Sequence, residues 1–141
     1  MEQAARILVI LVIDDDQAAV RLLEMLLMRL KAQTITAANG AEGLRLAAEE
    51  PYPDLIILDL MLPDMNGLEV LQQIRSKPEL NHIPVIILSI KTDPPTIRRC
   101  LALGADDYVT KPYAANNLLD KVYAFLAPSE QDGQSDDPSA E

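Results

Sequence analysis

Six side chains in this sequence have the types and intervals to do chemistry together. They are Asp14, Asp15 and Asp16 in a run, then Asp59, Ser89 and Lys111 standing singly. Carboxylates about 4 Å apart repel by about 4 kcal/mol at an effective dielectric near 20. Three of them in one cleft raise their own pKa values or recruit a cation. Hard oxygen ligands without a histidine or thiolate favour Mg2+, which keeps waters and takes one or two carboxylates with a phosphate oxygen. A lone metal site needs neither an ammonium nor a hydroxyl. A phosphoryl group uses both, since Lys111 and Ser89 would bind its oxygens alongside the metal. Carboxylate attack on phosphorus is an established form of covalent catalysis. Asp59 is the candidate nucleophile, because it stands alone and faces the aspartate run.

These groups meet only if the chain gathers them. Residues 7–13, 33–37, 55–58, 85–88 and 107–109 read as short strands. The first, third and fourth are unbroken apolar runs rich in Ile and Val, the mark of parallel strands covered on both faces. Helical patterns fall between them, over residues 18–30, 41–50, 68–76, 96–103 and 115–126. In the first, Leu22, Leu23, Leu26, Leu27 and Leu30 make one broad stripe. Pro94 and Pro95 suit the first turn of the fourth helix, and Gly104 its stop. Strands alternating with helices argue an open parallel α/β sheet with right-handed crossovers and helices on both faces. Ligands in such sheets sit beyond the carboxyl ends of the strands. Asp14 to Asp16 follow the first strand, Asp59 the third, Ser89 the fourth and Lys111 the fifth, so one rim collects them all. The stutter ILVILVI at residues 7–13 predicts a first strand long enough to protrude below the sheet, with an oligomer contact as the other reading.

Bulk properties narrow the partners. The 141 residues suit one domain, and with 49% hydrophobic but 4% aromatic residues its core must be aliphatic. A formal charge of −10 repels phosphate backbones and anionic headgroups, which argues against direct contact with nucleic acid or membrane and favours a cation or a basic protein patch. The single cysteine, Cys100, excludes an internal disulfide and a cysteine-only metal cage, and a cytoplasmic location fits. The apolar run at residues 7–13 is far short of the roughly twenty residues of a membrane helix. It also lacks the basic start of a secretory signal. Residues 5–127 are read as the domain, and 128–141, with no large apolar residue, as a disordered acidic tail.

Four motifs in order carry a resemblance: the apolar strand ending in DDD, then LIILDLMLPDMNG, VIILSI and DDYVTKPY. Asp15 precedes Asp59 by 44 residues, and Ser89 and Lys111 follow Asp59 by 30 and 52. Over residues 6–127 the chain resembles the receiver domains of two-component response regulators, of the chemotaxis-regulator type. The resemblance implies a flavodoxin-like, doubly wound five-stranded parallel sheet of order 2-1-3-4-5. It implies Asp59 as the phosphoacceptor, served by a sensor histidine kinase or a phosphotransfer protein, with acetyl phosphate as a second source. Asp15 would bind Mg2+ directly and Asp14 through water, with Asp59 and the Met61 backbone carbonyl completing the protein ligands. Ser89 and Lys111 would bind the phosphoryl group, Ser89 and Tyr108 would move as the switch, and the bond before Pro112 would be cis. Such a domain assists its own phosphorylation and dephosphorylation but is not a dedicated enzyme. It signals to a downstream protein target through its fourth helix, fifth strand and fifth helix, a face that leaves homodimerisation open.

Departures and plainer readings stand beside this. Ile90 follows Ser89 where the family usually has a small residue, and its branched side chain could narrow the path to the phosphoryl group or hinder the Tyr108 swing. Met61 and Lys91 occupy positions that tune phosphoryl lifetime in that family. The aspartate run could merely cap the first helix, a role Asp16 keeps in any case. Ser89 could be an ordinary strand-end hydroxyl, Lys111 a solvated cation and Tyr108 a packing residue. Gly67 is expected in a backbone conformation that other residues resist, His82 at the surface and Cys100 as core filler. Two further classes compete: a phosphate-independent docking module, which Ile90 favours, and a Mg2+-dependent phosphatase of the haloacid-dehalogenase type. The phosphatase wants Asp-x-Asp at its nucleophile, and Met61 stands two residues after Asp59.

Overall fold

The computed structural model describes residues 7–126. The expected acidic tail and the outermost residues of the 5–127 domain range lie outside the described residues. Five strands, β1 (Val9–Ile13), β2 (Gln33–Ala37), β3 (Leu55–Leu58), β4 (Val85–Ser89) and β5 (Asp107–Thr110), form one parallel sheet in the order β2-β1-β3-β4-β5. Five helices alternate with them: α1 (Gln17–Leu27), α2 (Gly40–Ala47), α3 (Gly67–Ser76), α4 (Pro94–Ala102) and α5 (Ala115–Leu126).

The three central strands are buried at every residue, as unbroken apolar runs require. Successive side chains of a strand point to opposite faces, and this splits the core in two. Leu11, Ile13, Ile56, Leu58, Val85 and Ile87 pack against α2, α3 and α4. Ile10, Val12, Leu55, Ile57, Ile86 and Leu88 pack against α1 and α5. Cys100 is fully buried in the first layer, and His82 is exposed.

Two expectations need correction. The first strand is no longer than β2 or β4, because it begins at Val9 in register with Gln33, the first residue of β2. Leu8 still lends its carbonyl to the Gln33 N–H at 2.8 Å, but Ile7 is exposed and has no strand beside it. The stripe on the first helix is also narrower than its leucines suggest. Leu23, Leu26 and Leu27 are buried, whereas Leu22 shares an exposed face with Met25 and Met28, three and six residues on. The α-helix gives way at Leu27 to a 3-10 turn over Met28–Leu30, ended by Lys31 at a φ of 60°.

The punctuation follows its residues. Asp16 caps α1 through the N–H groups of Ala18 and Ala19, and Asp93 caps α4 ahead of Pro94 and Pro95. Gly104 follows α4 at a φ of 110°, a conformation that favours glycine.

Candidate functional site

Parallel pairing continues one residue past the strands and so fixes the backbone of the site. The Asp14 N–H donates to the Ala37 carbonyl at 3.0 Å, and the Asp59 N–H to the Ile13 carbonyl at 2.9 Å. The Lys111 N–H donates to the carbonyl of Ser89, the last residue of β4, at 2.9 Å. The carboxyl ends of β1, β3, β4 and β5 thus bring Asp14, Asp59, Ser89 and Lys111 to one rim, with Asp15 beside Asp14.

Carboxylate oxygens of Asp14, Asp15 and Asp59 lie within 4.8 Å of one another. Asp14 and Asp59 are buried and Asp15 is exposed. The Lys111 ammonium sits 2.8 Å from Asp14 Oδ2 and 3.5 Å from Asp59 Oδ2. The remaining oxygens are partly occupied: Asp14 Oδ1 accepts the Asp16 N–H at 2.9 Å, and Asp59 Oδ1 the Met61 N–H at 3.2 Å. Asp16 itself belongs to the helix cap and not to the cluster.

Three carboxylates converge near one ammonium. Burial pushes the Asp59 carboxyl above its ordinary value, aided by the nearby Asp14 charge and opposed by the Met61 N–H and Lys111. For Lys111, burial alone pulls the ammonium down. The hydrogen bond to Asp14 and the charges of Asp59 and Asp14 outweigh that, so its pKa is raised. The donor set is made of hard oxygens with an excess of negative charge, which fits Mg2+.

Ser89 is fully buried, and its Oγ accepts the Lys91 N–H at 3.3 Å. The Tyr108 hydroxyl donates to the Lys91 carbonyl at 2.7 Å, and its half-buried ring packs on the core layer shared with α2, α3 and α4. Burial raises the Tyr108 phenol above its ordinary pKa. Tyr108 and Ser89 therefore both grip the backbone of Lys91, at the start of the loop into α4. Ile90 is 61% exposed. The Lys111–Pro112 peptide is cis.

The segment after Asp59 closes on itself. Met61 bridges to Asn66, and the Gly67 N–H donates to the Leu60 carbonyl at 2.8 Å. Asn66 and Glu69 form a capping box that starts α3. Gly67 corrects its expectation, since Gly104 is the one glycine at positive φ among the described residues. Space is what demands glycine there: a Cβ would lie 2.4 Å from the Asp59 carbonyl oxygen and 2.6 Å from the Leu60 Cα.

Sequence reasoning missed Asp64. Its two carboxylate oxygens accept the N–H groups of Gly40 at 2.7 Å and Ala41 at 2.9 Å, the first two residues of α2. These bonds hold its carboxyl below the ordinary value. A carboxylate in a turn was the available signal, and nothing local names a partner more than twenty residues earlier.

The chain matches the response regulator receiver domain family over residues 10–123. It is 45% identical over 117 residues to the transcriptional regulatory protein KdpE of Mycobacterium tuberculosis, an alignment covering 83% of this chain and 50% of that protein. The chain thus spans about half the length of the curated relatives it matches. Among solved structures, it superposes with a TM-score of 0.80 on a CheY-like receiver domain protein of Methanospirillum hungatei. That pair shares 28% identity, with 90% of this chain and 99% of the other covered. The BeF3-activated DrrB receiver domain superposes at 0.76 with 31% identity, over 86% and 98% of the two chains.

Proposed function

This chain belongs to the response regulator receiver domain family of two-component systems, and on that premise we propose that it is a phosphorylation-driven switch whose acceptor is Asp59. The observation that carries the proposal is the unbalanced rim, where three carboxylates converge beside a single partly buried ammonium. Response regulators partner with histidine kinases, and a phosphohistidine of such a kinase, or acetyl phosphate, is the donor that suits Asp59.

Asp14, Asp15, Asp59 and the Met61 backbone carbonyl are the groups that would hold Mg2+. Bound there, Mg2+ supplies the positive charge that lets a crowded acid accept a further anion. An Asp59 oxygen attacks phosphorus, and an O–P bond forms as the donor's bond to phosphorus breaks and the donor leaves with that electron pair. Lys111, held between Asp14 and Asp59, is within reach of the new phosphoryl oxygens and pairs with them. Ser89 lends its hydroxyl to the same oxygens. Because the Lys91 N–H already rests on Ser89 Oγ and the Lys91 carbonyl on Tyr108, a shift of Ser89 would be felt in the loop to α4 and at Tyr108. That links the acceptor to α4, β5 and α5, the face through which we propose it reaches a downstream protein or a second copy of itself.

The relative from Mycobacterium tuberculosis is named a transcriptional regulator and is about twice as long as the aligned region. Direct contact of this chain with nucleic acid is disfavoured by its charge of −10. No helix among the described residues is long and apolar enough to cross a membrane. A phosphate-independent docking module is the second reading, and it rests on Ile90, the exposed residue after Ser89.

Incubation with Mg2+ and acetyl phosphate should add one phosphoryl group to the intact mass, and Mg2+ with beryllofluoride should alter the amide spectrum around Ser89 and Tyr108. Both responses should vanish in Asp59→Asn. A wild-type protein inert to both reagents would favour the docking module, and labelling that persists in Asp59→Asn would remove Asp59 as acceptor.

A further inference from the structure

The acceptor loop carries a tie that the phosphoryl chemistry does not use. Between Asp59 and Gly67 the chain forms a closed ring, pinched at its base by the Gly67–Leu60 hydrogen bond and the Met61–Asn66 bridge. Met61 stands on one leg of that ring and Asp64 at its tip. Asp64 leaves the ring altogether and fastens to α2 through both carboxylate oxygens.

The first four N–H groups of a helix have no partner within it, and at the start of α2 three of them rest on side-chain oxygens. Asp64 takes those of Gly40 and Ala41, and Asn39 takes that of Glu42 with its side chain, while the Gly43 N–H makes the first helical bond to the Asn39 carbonyl. Two of these three caps therefore come from the loop that follows the acceptor. The seat is also close-fitting, for a Cβ on Gly40 would lie 2.5 Å from Met65 Cγ and 2.8 Å from its Sδ. An aspartate that served only as a turn former would bond its own neighbours two or three residues on. Asp64 instead spends both oxygens on an element that follows β2, the strand whose last carbonyl holds the Asp14 N–H. One wall of the acidic cleft is thus tied to the other through α2.

We propose that Asp64 is a positioning residue for the divalent-cation site, its carboxylate bolting the acceptor loop to the start of α2 so that the Met61 backbone is held where a cation needs it. This rests on the reading of Asp14, Asp15, Asp59 and Met61 as the Mg2+ ligands. Groups that orient metal ligands from behind typically change metal affinity 10- to 100-fold when removed. Asp64 acts on a backbone ligand through a loop, so about tenfold is expected.

The test is Mg2+ affinity by calorimetry on the full chain, together with amide exchange over Met61 to Asn66. Wild type is compared with Asp64→Ala, Asp64→Asn and Asn39→Ala. Asp64→Ala should weaken Mg2+ binding about tenfold and speed exchange in the loop. Asp64→Asn, which keeps one acceptor oxygen, should fall between it and wild type and remains readable if the alanine variant folds poorly. Asn39→Ala removes a cap from the same helix without touching the loop, and should leave Mg2+ affinity within about twofold. Mg2+ affinity unchanged in both Asp64 variants would overturn the proposal while leaving the metal site standing. An equal loss in Asn39→Ala would overturn it too, by assigning the effect to fraying of α2. A wild type without Mg2+ affinity would fell the metal site and this proposal together.

Discussion

The two ends of the sheet handle charge in opposite ways. At the amino ends of β4 and β5, the Arg75 guanidinium from α3 donates to the carbonyls of Gly104 at 3.0 Å, Ile83 at 2.8 Å and Asn81 at 3.1 Å, and pairs with Asp106 at 2.9 Å. The Asp106 oxygen that receives it also takes the Val85 N–H at 2.8 Å. One cation meets one anion there, and the leftover donors are spent on backbone carbonyls. At the carboxyl ends, three carboxylates crowd together, the one ammonium reaches two of them, and the Asp59 carboxyl is pushed up. The amino end is a joint, complete as folded. The carboxyl end stays electrostatically unfinished, and that is what lets it respond to a cation and a phosphoryl group.

Breaking the joint should have the largest effect on stability. Arg75→Met strips the partner from three carbonyls and leaves Asp106 without its cation, at a cost of about 3 kcal/mol or more. Urea unfolding should register that loss while Mg2+ affinity stays within about twofold of wild type. A loss below about 1 kcal/mol would mean that the amino-end network is not a structural joint.

Completing the other end comes next in size. Mg2+ at one hundred times its dissociation constant should stabilise the wild type by about 2.7 kcal/mol, read as a rise in Tm. Asp59→Asn should forfeit most of that rise. Equal Mg2+ stabilisation of the variant would show that the cleft acids are not the ligands.

The smallest effect is the most diagnostic. Without divalent ions, Asp59→Asn should be more stable than wild type at pH 7, by on the order of 1 kcal/mol. The sign follows from the raised carboxyl: between the ordinary value of 3.8 and its folded value, the folded chain keeps a proton that the unfolded chain has lost. Stability of the wild type therefore falls as pH rises through that window, and the cost is fully present above it. Unfolding in chelator should show the variant's advantage shrinking as pH drops through the window. A variant less stable than wild type at pH 7 would mean that the cleft is not strained by its acids.

Much of this contrast was legible in the chain. Unbroken runs such as Leu55–Leu58 could only be buried parallel strands, and Asp14, Asp59, Ser89 and Lys111 each stand at a strand end. The joint was not legible, because Arg75 and Asp106 are 31 residues apart and each looks like an ordinary surface charge. Leu22 misled because a leucine-rich helix does not say how wide its buried face will be. Gly67 was rightly marked as special but for the wrong reason, since the crowding comes from Asp59 and Leu60 folding back upon it.

Residue order by itself determined which segments become strands, that they run parallel, and which polar groups end on the carboxyl-end rim, because side-chain alternation and strand-end placement are local rules. Tertiary structure alone decided which partner each charge takes: Lys111 nearer Asp14 than Asp59, Asp64 on the start of α2, Arg75 across four backbone and side-chain acceptors. The reason is distance. A Coulomb or hydrogen-bond energy changes steeply over an ångström, and only packing of the whole sheet and its helices sets separations that finely.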